Sequence, residues 1–299
     1  MKTHLNLGGI LLRLETERPL RLSSELEPFL DRGVAAPDVT VHIRWNWLEA
    51  RCPVSLPAGA DLVQTYYREA DCWFCELAGG DRGALARCCY DTDFSDISCS
   101  VNDVTCPVDQ ATVGNVLRML PMRAIFLHFG VLFLHAAQIA YRGRGILFSA
   151  PSGTGKTTQA KLWQTHRGAE IACNDRTLLR KTGGVWHTYG YPLDGSEPVR
   201  SGSVHPLGCV VLLEQGQDNA VQRLRPARAV CLLMQQTVID GWDAHARERA
   251  LELLMTLLAD VPVYLLRCTP DEAAVQALET KLTEEGVLPN GSDFGPALE

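Results

Sequence analysis

Ala150-Pro151-Ser152-Gly153-Thr154-Gly155-Lys156-Thr157 is the stretch that decides how the rest of the chain reads. An apolar run, Gly145-Ile146-Leu147-Phe148-Ser149, leads into it, and a helix-forming stretch, Thr157 to His166, leads out. That is the strand–loop–helix setting of a Walker A phosphate-binding loop, or P-loop. Gly153 and Gly155 let backbone N–H groups turn inward without a Cβ clash, which makes an anion nest at a helix N-terminus. Lys156 is placed to reach the β and γ phosphates of a nucleotide, and the Thr157 hydroxyl to hold Mg²⁺. Ser152, Gly153, Thr154, Gly155, Lys156, Thr157 and Thr158 are the expected nucleotide contacts. Ala150 stands where the pattern has its first Gly. A plain Gly/Ser turn with a fortuitous lysine is the competing reading, and the joint placement of turn, Lys and Thr weighs against it.

Upstream, His135 to Tyr141 reads as a strand, Arg142-Gly143-Arg144 as a turn and Gly145 to Ala150 as a second strand, a hairpin that feeds the loop. Downstream, the helix ends near Arg167-Gly168. Ala169 to Cys173 is the next strand and closes on Asn174-Asp175-Arg176. Asp175 thus lies at the C-terminal edge of a strand expected to neighbour the loop strand, and in open α/β sheets ligands bind at that edge. Such a carboxylate holds Mg²⁺ or acts as general base; a turn or capping Asp ahead of Arg176 is the alternative. His135 sits in an apolar run, where a lone histidine is ordinarily a core residue. Glu214 and the loop Tyr189 to Glu197 offer further acids, and Arg176, Arg180 and Arg200 further cations, but their spacing selects none of them.

Farther out, Thr177 to Lys181 and Val185 to Tyr189 flank Gly183-Gly184 as a hairpin, and Leu207 to Leu213 is a buried strand. Pro226 to Gln236 and Ala244 to Ala259 read as helices, the second with Ala250, Leu251, Leu254, Met255 and Leu258 on one face. Val261 to Leu266 is a strand, and Pro270 to Leu282 a closing helix capped by Thr269. Residues 119–282 form a P-loop domain and 283–299 a frayed tail. Residues 1–118 form a smaller α+β module with no catalytic pattern, joined to the rest by an amphipathic helix from Gln110 to Ala124.

The chain has 299 residues, 46% apolar and 21% charged, with a net charge of −7. This is the composition of a globular protein with a real core. It argues against a nucleic-acid partner, which calls for a basic surplus. The start lacks a signal-peptide core, and the longest apolar stretch, Ala124 to Ala140, carries His128, His135 and Gln138. It reads as a buried helix followed by a core strand, not a membrane span. Eleven cysteines, among them Cys72-Trp73-Phe74-Cys75, raise a zinc or thiol-redox site. No second pair follows at zinc spacing, so these cysteines read as small apolar strand residues, and many free thiols suit a reducing cytoplasm.

The segment from about His135 to Asp175 resembles the catalytic domain of HPr kinase/phosphorylase, a family that shares its P-loop variant with phosphoenolpyruvate carboxykinase. The likeness rests on His135-Ala136 ahead of the loop strand, the loop 150–157 itself, and Asn174-Asp175 after the following strand. The family has His-Ala, Gly-x-x-Ser-Gly-x-Gly-Lys-Ser and Asp-Asp at these places. The resemblance implies an α/β fold, a P-loop-containing mixed sheet flanked by helices. It also implies a kinase that uses Mg²⁺ and ATP or GTP. The γ-phosphoryl group would pass to a hydroxyl of a peptide, small protein or small molecule. By the same likeness His135 is an active-site residue, Lys156 binds phosphate, Thr157 holds the metal, and Asp175, read above from its strand edge as a metal ligand or base, takes the acceptor's proton. A homo-oligomer is compatible with the family. Asn174 replaces the first Asp, and Tyr189 to Arg200 stands where the family's Leu-Glu-x-Arg-Gly-x-Gly metal motif is expected. The chain therefore reads as a divergent relative, and a nucleotide-binding regulator or scaffold with little turnover is the main alternative. A carboxykinase-like enzyme would need a metal-binding His and Lys upstream, which are not identifiable.

Overall fold

The computed structural model describes residues 1–33, 35–46, 63–69, 71–79, 83–106, 111–193, 201–241 and 243–289. The chain divides into two compact units, Met1–Phe129 and Gly130–Glu299.

In the first unit the strands are β1 (Lys2–Leu7), β2 (Ile10–Thr16), β3 (Val39–Asn46), β4 (Val63–Glu69), β5 (Cys72–Gly79), β6 (Gly83–Tyr90) and β7 (Asp96–Asn102). They form one sheet in the order β1-β2-β3-β7-β6-β5-β4. β3 runs parallel to both β2 and β7, and the other pairs are antiparallel. Alternation drives the layout: Ile10, Leu12, Leu14 and Thr16 of β2 are buried while the residues between them are less so. Cys75, Cys88 and Cys99 stand opposite one another on β5, β6 and β7, all buried as small apolar residues. Among the described residues no group of three or more His, Cys, Asp or Glu is arranged to hold a metal ion.

The helix expected from Gln110 to Ala124 is two short ones, α1 (Val113–Met119) and α2 (Met122–His128). Pro121 is the reason. It has no N–H to donate and pushes Leu120 out of the helical region, to ψ 155°. Both helices belong to the first unit, which extends past the boundary read from sequence.

The second unit is a mixed α/β layer structure. Its strands are β8 (Val131–Tyr141), β9 (Arg144–Ser149), β10 (Glu170–Cys173), β11 (Arg176–Thr182), β12 (Val185–Gly190), β13 (Val204–Gln215), β14 (Ala220–Arg223) and β15 (Val263–Cys268). Its helices are α3 (Lys156–Arg167), α4 (Pro226–Gln236), α5 (Ala244–Asp260) and α6 (Glu272–Glu284). β9, β13 and β15 are parallel neighbours, so their C-terminal ends share one edge. β8 is long enough to serve two partners on one side. Its first half pairs with β11, its second half with β10, and β9 lies along its other side. β8, β11, β12, β13 and β9 therefore pair in a closed circuit.

Gln138 of β8 donates from Nε2 to Thr188 Oγ1 of β12 (2.9 Å), and both residues are fully buried. Gly145 of β9 abuts Thr188, and a Cβ there would lie 2.7 Å from Thr188 Oγ1, so a larger residue would have to displace that side chain. α3 and α6 pack together and share a core with the sheet around Trp163, Phe148, Tyr264 and Leu278. α4 and α5 pack on each other and on β8.

Three local expectations shift. α6 is capped by Asp271, whose side chain accepts from Ala274 N (3.2 Å), not by Thr269. The Thr269 hydroxyl instead donates to Asp271 Oδ2. α5 buries Ala250, Leu253, Leu254 and Leu257, while Leu251 and Met255 face out; the apolar stripe is wider than the surface it packs on. After α6, the chain packs onto the core as far as Pro289, with Val287 N and Leu288 N donating to Leu282 O and Leu288 buried. The rest of the expected tail, 290–299, lies outside the described residues.

Candidate functional site

The loop 150–155 leaves β9 at its C-terminal end and turns into α3 through Gly155. Gly153 (φ 80°) and Gly155 (φ 119°) occupy left-handed backbone that a side chain would strain, with open space where a Cβ would stand. Ala150 has no positive φ and is buried, so a methyl group is tolerated at the loop's first position. Lys156, the first residue of α3, is buried. Its Nζ donates to Ala150 O (2.8 Å) and Pro151 O (3.3 Å). Burial lowers its pKa from the ordinary lysine value, and the Asp175 charge opposes that shift. The ammonium is thus folded back on its own loop.

The strand before Asp175 does not neighbour the loop strand as expected. β10 pairs with β8, and β8 stands between β10 and β9. This insertion brings His135 and Asp175 together. The register sets His135 opposite Arg176, and Ala136 N donates to Asp175 O (2.9 Å). His135 Nε2 lies 3.1 Å from Asp175 Oδ1, and Arg176 Nε is 3.6 Å from Asp175 Oδ2. Ser149, buried at the end of β9, donates to His135 O (2.8 Å), which ties the histidine's strand to the start of the loop.

A cavity of about 270 Å³ is lined by His135, Lys156, Thr157, Asn174 and Asp175, with Ser152, Gly153, Gly155 and Thr158 completing its wall. Of the nucleotide contacts read from the sequence, Thr154 alone is not in this wall; it faces a second cavity across the loop. Burial lowers the His135 pKa, the Lys156 charge adds to this, and Asp175 pulls the other way. A neutral imidazole bonded to the Asp175 carboxylate is the resulting state at neutral pH.

Asn174 is buried, and neither its Nδ2 nor its Oδ1 has a hydrogen-bond partner. Glu214 lines neither cavity. Arg180 pairs with Val131 at the far end of β11, whereas Arg176 is the arginine beside Asp175. Arg200 and residues 194–197 of the acidic loop lie outside the described residues. Sequence reasoning missed Ser149 and Gln159. Gln159 is buried on the core stripe of α3, and a polar residue on that stripe was the available signal. Among the described residues no helix is long and apolar enough to cross a membrane.

No curated protein resembles the chain closely enough to count as a match. Among solved structures, the Hpr(Ser) kinase/phosphatase from Coxiella burnetii aligns at 11% identity, over 52% of this chain and 98% of that one. The TM-score is 0.32, a superposition too loose to carry an argument about fold or activity. The family model described as SynChlorMet cassette protein ScmC matches residues 99–279, more than half of the chain and most of the second unit. The chain belongs to the ScmC family.

Proposed function

We propose that the second unit is a phosphotransferase that moves the γ-phosphoryl group of ATP or GTP to the hydroxyl of a peptide, small protein or small molecule. The observation that carries this reading is the convergence of Lys156, Thr157, His135 and Asp175 on one cavity at the mouth of a glycine loop. Phosphoryl transfer asks little covalent chemistry of a protein; it needs positioning and charge stabilisation. The loop N–H groups and Lys156 hold the phosphates. The Asp175 carboxylate takes the acceptor's proton as the acceptor oxygen bonds the γ-phosphorus and the β–γ bridging oxygen departs with the diphosphate. His135, hydrogen-bonded to Oδ1, fixes the orientation of that carboxylate.

Thr157 and Asp175 offer two hard oxygen donors in this cavity. Such a sparse set suits Mg²⁺, which keeps several waters and shares substrate phosphates, and when bound it would neutralise phosphate charge.

A second reading is favoured by Asn174. An amide where the resembled kinases have an acid leaves one carboxylate at the site, as fits a nucleotide-binding regulator with little turnover. Asp175→Asn separates the two. With Mg-ATP and a cell extract, product mass spectrometry should show phosphorylated species whose rate falls about 10²–10⁴-fold in the variant, while nucleotide binding is largely kept. ATP binding with no phosphorylated product from the native protein would defeat the kinase reading.

A further inference from the structure

Across the glycine loop from Asp175 lies a larger cavity, of about 390 Å³. Its far wall comes from the parallel strand ends: Leu213 and Gln215 of β13, Cys268 of β15, and Thr269 and Pro270 beyond it. Its near wall is the loop and the first turn of α3, and it shares Gly153, Gly155 and Thr158 with the smaller cavity. The two cavities are thus flanks of one cradle, and an elongated ligand held by the loop would enter both.

Gln159 projects from α3 into this wall and is 3% exposed. Its Nε2 lies 3.3 Å from Cys268 Sγ, and its Oε1 is buried with no partner. Whichever way the amide is set, one polar end bonds the thiol and the other is left over. A buried amide end without a partner costs free energy unless a ligand meets it. The other wall atoms suit a flat heterocycle: the Leu213, Pro270 and Cys268 side chains are apolar, and Gln215 Nε2 is held at the Thr154 carbonyl (3.5 Å).

We infer that this cavity is the nucleoside subsite, with the base and ribose of the nucleotide against Leu213, Cys268 and Pro270 and one of their polar groups bonded to Gln159. The inference rests on the proposed phosphate role of the loop and fixes the direction in which the nucleotide lies, base toward β15 and γ-phosphate toward Asp175.

Calorimetric titration of the full chain with Mg-ATP and with inorganic tripolyphosphate tests it. Tripolyphosphate probes the loop alone. ATP should bind more tightly than tripolyphosphate, by about tenfold if base and ribose contribute about 1.4 kcal/mol of contact. Gln159→Leu should weaken ATP several-fold and leave tripolyphosphate unchanged, and Cys268→Phe, which fills the cavity, should bring ATP to the tripolyphosphate level. Alkylation of Cys268 in the unaltered protein, followed by peptide mass spectrometry, needs no variant to fold: ATP should protect the thiol and tripolyphosphate should not. Equal binding of the two ligands, or ATP affinity and Cys268 alkylation indifferent to these changes, overturns the subsite. A native protein that binds neither ligand brings down the phosphate reading itself, and the subsite with it.

Discussion

At the scale of the residue, the site is an arrangement of charges held by backbone register. His135 and Asp175 are forty positions apart in sequence and 3.1 Å apart in space. Burial and the Lys156 charge disfavour the imidazolium, so protonating His135 costs more in the folded protein than in the unfolded chain. The sign follows from linkage. The contribution to stability is full above the unfolded histidine pKa of about 6.5 and is lost as pH falls through the lowered folded value. His135→Gln keeps a donor for Asp175 and removes the titration. Its melting temperature should therefore fall less between about pH 7.5 and about pH 5.5 than that of the native protein, as scanning calorimetry would read. Equal losses would show that His135 is not the titrating group. Lys156→Ala removes the cation that faces the loop, and nucleotide affinity should fall at least about tenfold, since a hydrogen bond to a charged group contributes about 1.5–3 kcal/mol. Lys156 was legible in the sequence because its motif is local. The sequence offered His135 and Asp175 as separate site residues and not as a bonded pair. Gln159 left one local sign, a polar residue on the core stripe of its helix, but its partner Cys268 comes from a distant strand.

At the scale of the element, short patterns with local causes read well and long-range pairings did not. The β8–β9 hairpin, the strand after α3 and the β11–β12 hairpin announce themselves through turn residues and apolar runs. β1, β4 and β14 were missed, since mixed polar stretches become strands only when a sheet edge accepts them. The order of strands was misjudged at the site: β8 intervenes between β9 and β10, and the hairpin's own geometry does not say on which side a third strand will add. The β8–β9–β12 contact gives a sharp test. Gly145→Ala places a methyl group against Thr188 and should cost about 1–3 kcal/mol, the price of overpacking a filled core. Chemical denaturation would read it as a lower midpoint at unchanged slope. A neutral result would mean that β9 and β12 have room to separate.

At the scale of the whole molecule, each unit has its own sheet and the chemistry-bearing residues gather in one of them. The core of that unit centres on Trp163, fully buried with its indole N–H lacking an acceptor. Trp163→Ala should destabilise by about 3–5 kcal/mol. Trp163→Phe should cost well under half of that, because it keeps most of the ring volume and removes the unpaired donor. Denaturant titration of both variants checks the pair, and equal losses would mean that the indole N–H is satisfied in solution. The sequence by itself determined the loop, the helix behind it and an α/β class, because glycine stereochemistry, apolar periodicity and helix-terminus charge act over a few residues. Only the tertiary structure decided that β8 would stand between β9 and β10, that His135 would meet Asp175, and that Gln159 would bond Cys268 in the wall of a cavity. Those facts depend on strand order and register, which are set by how distant apolar surfaces fit together and not by any residue's neighbours in the chain.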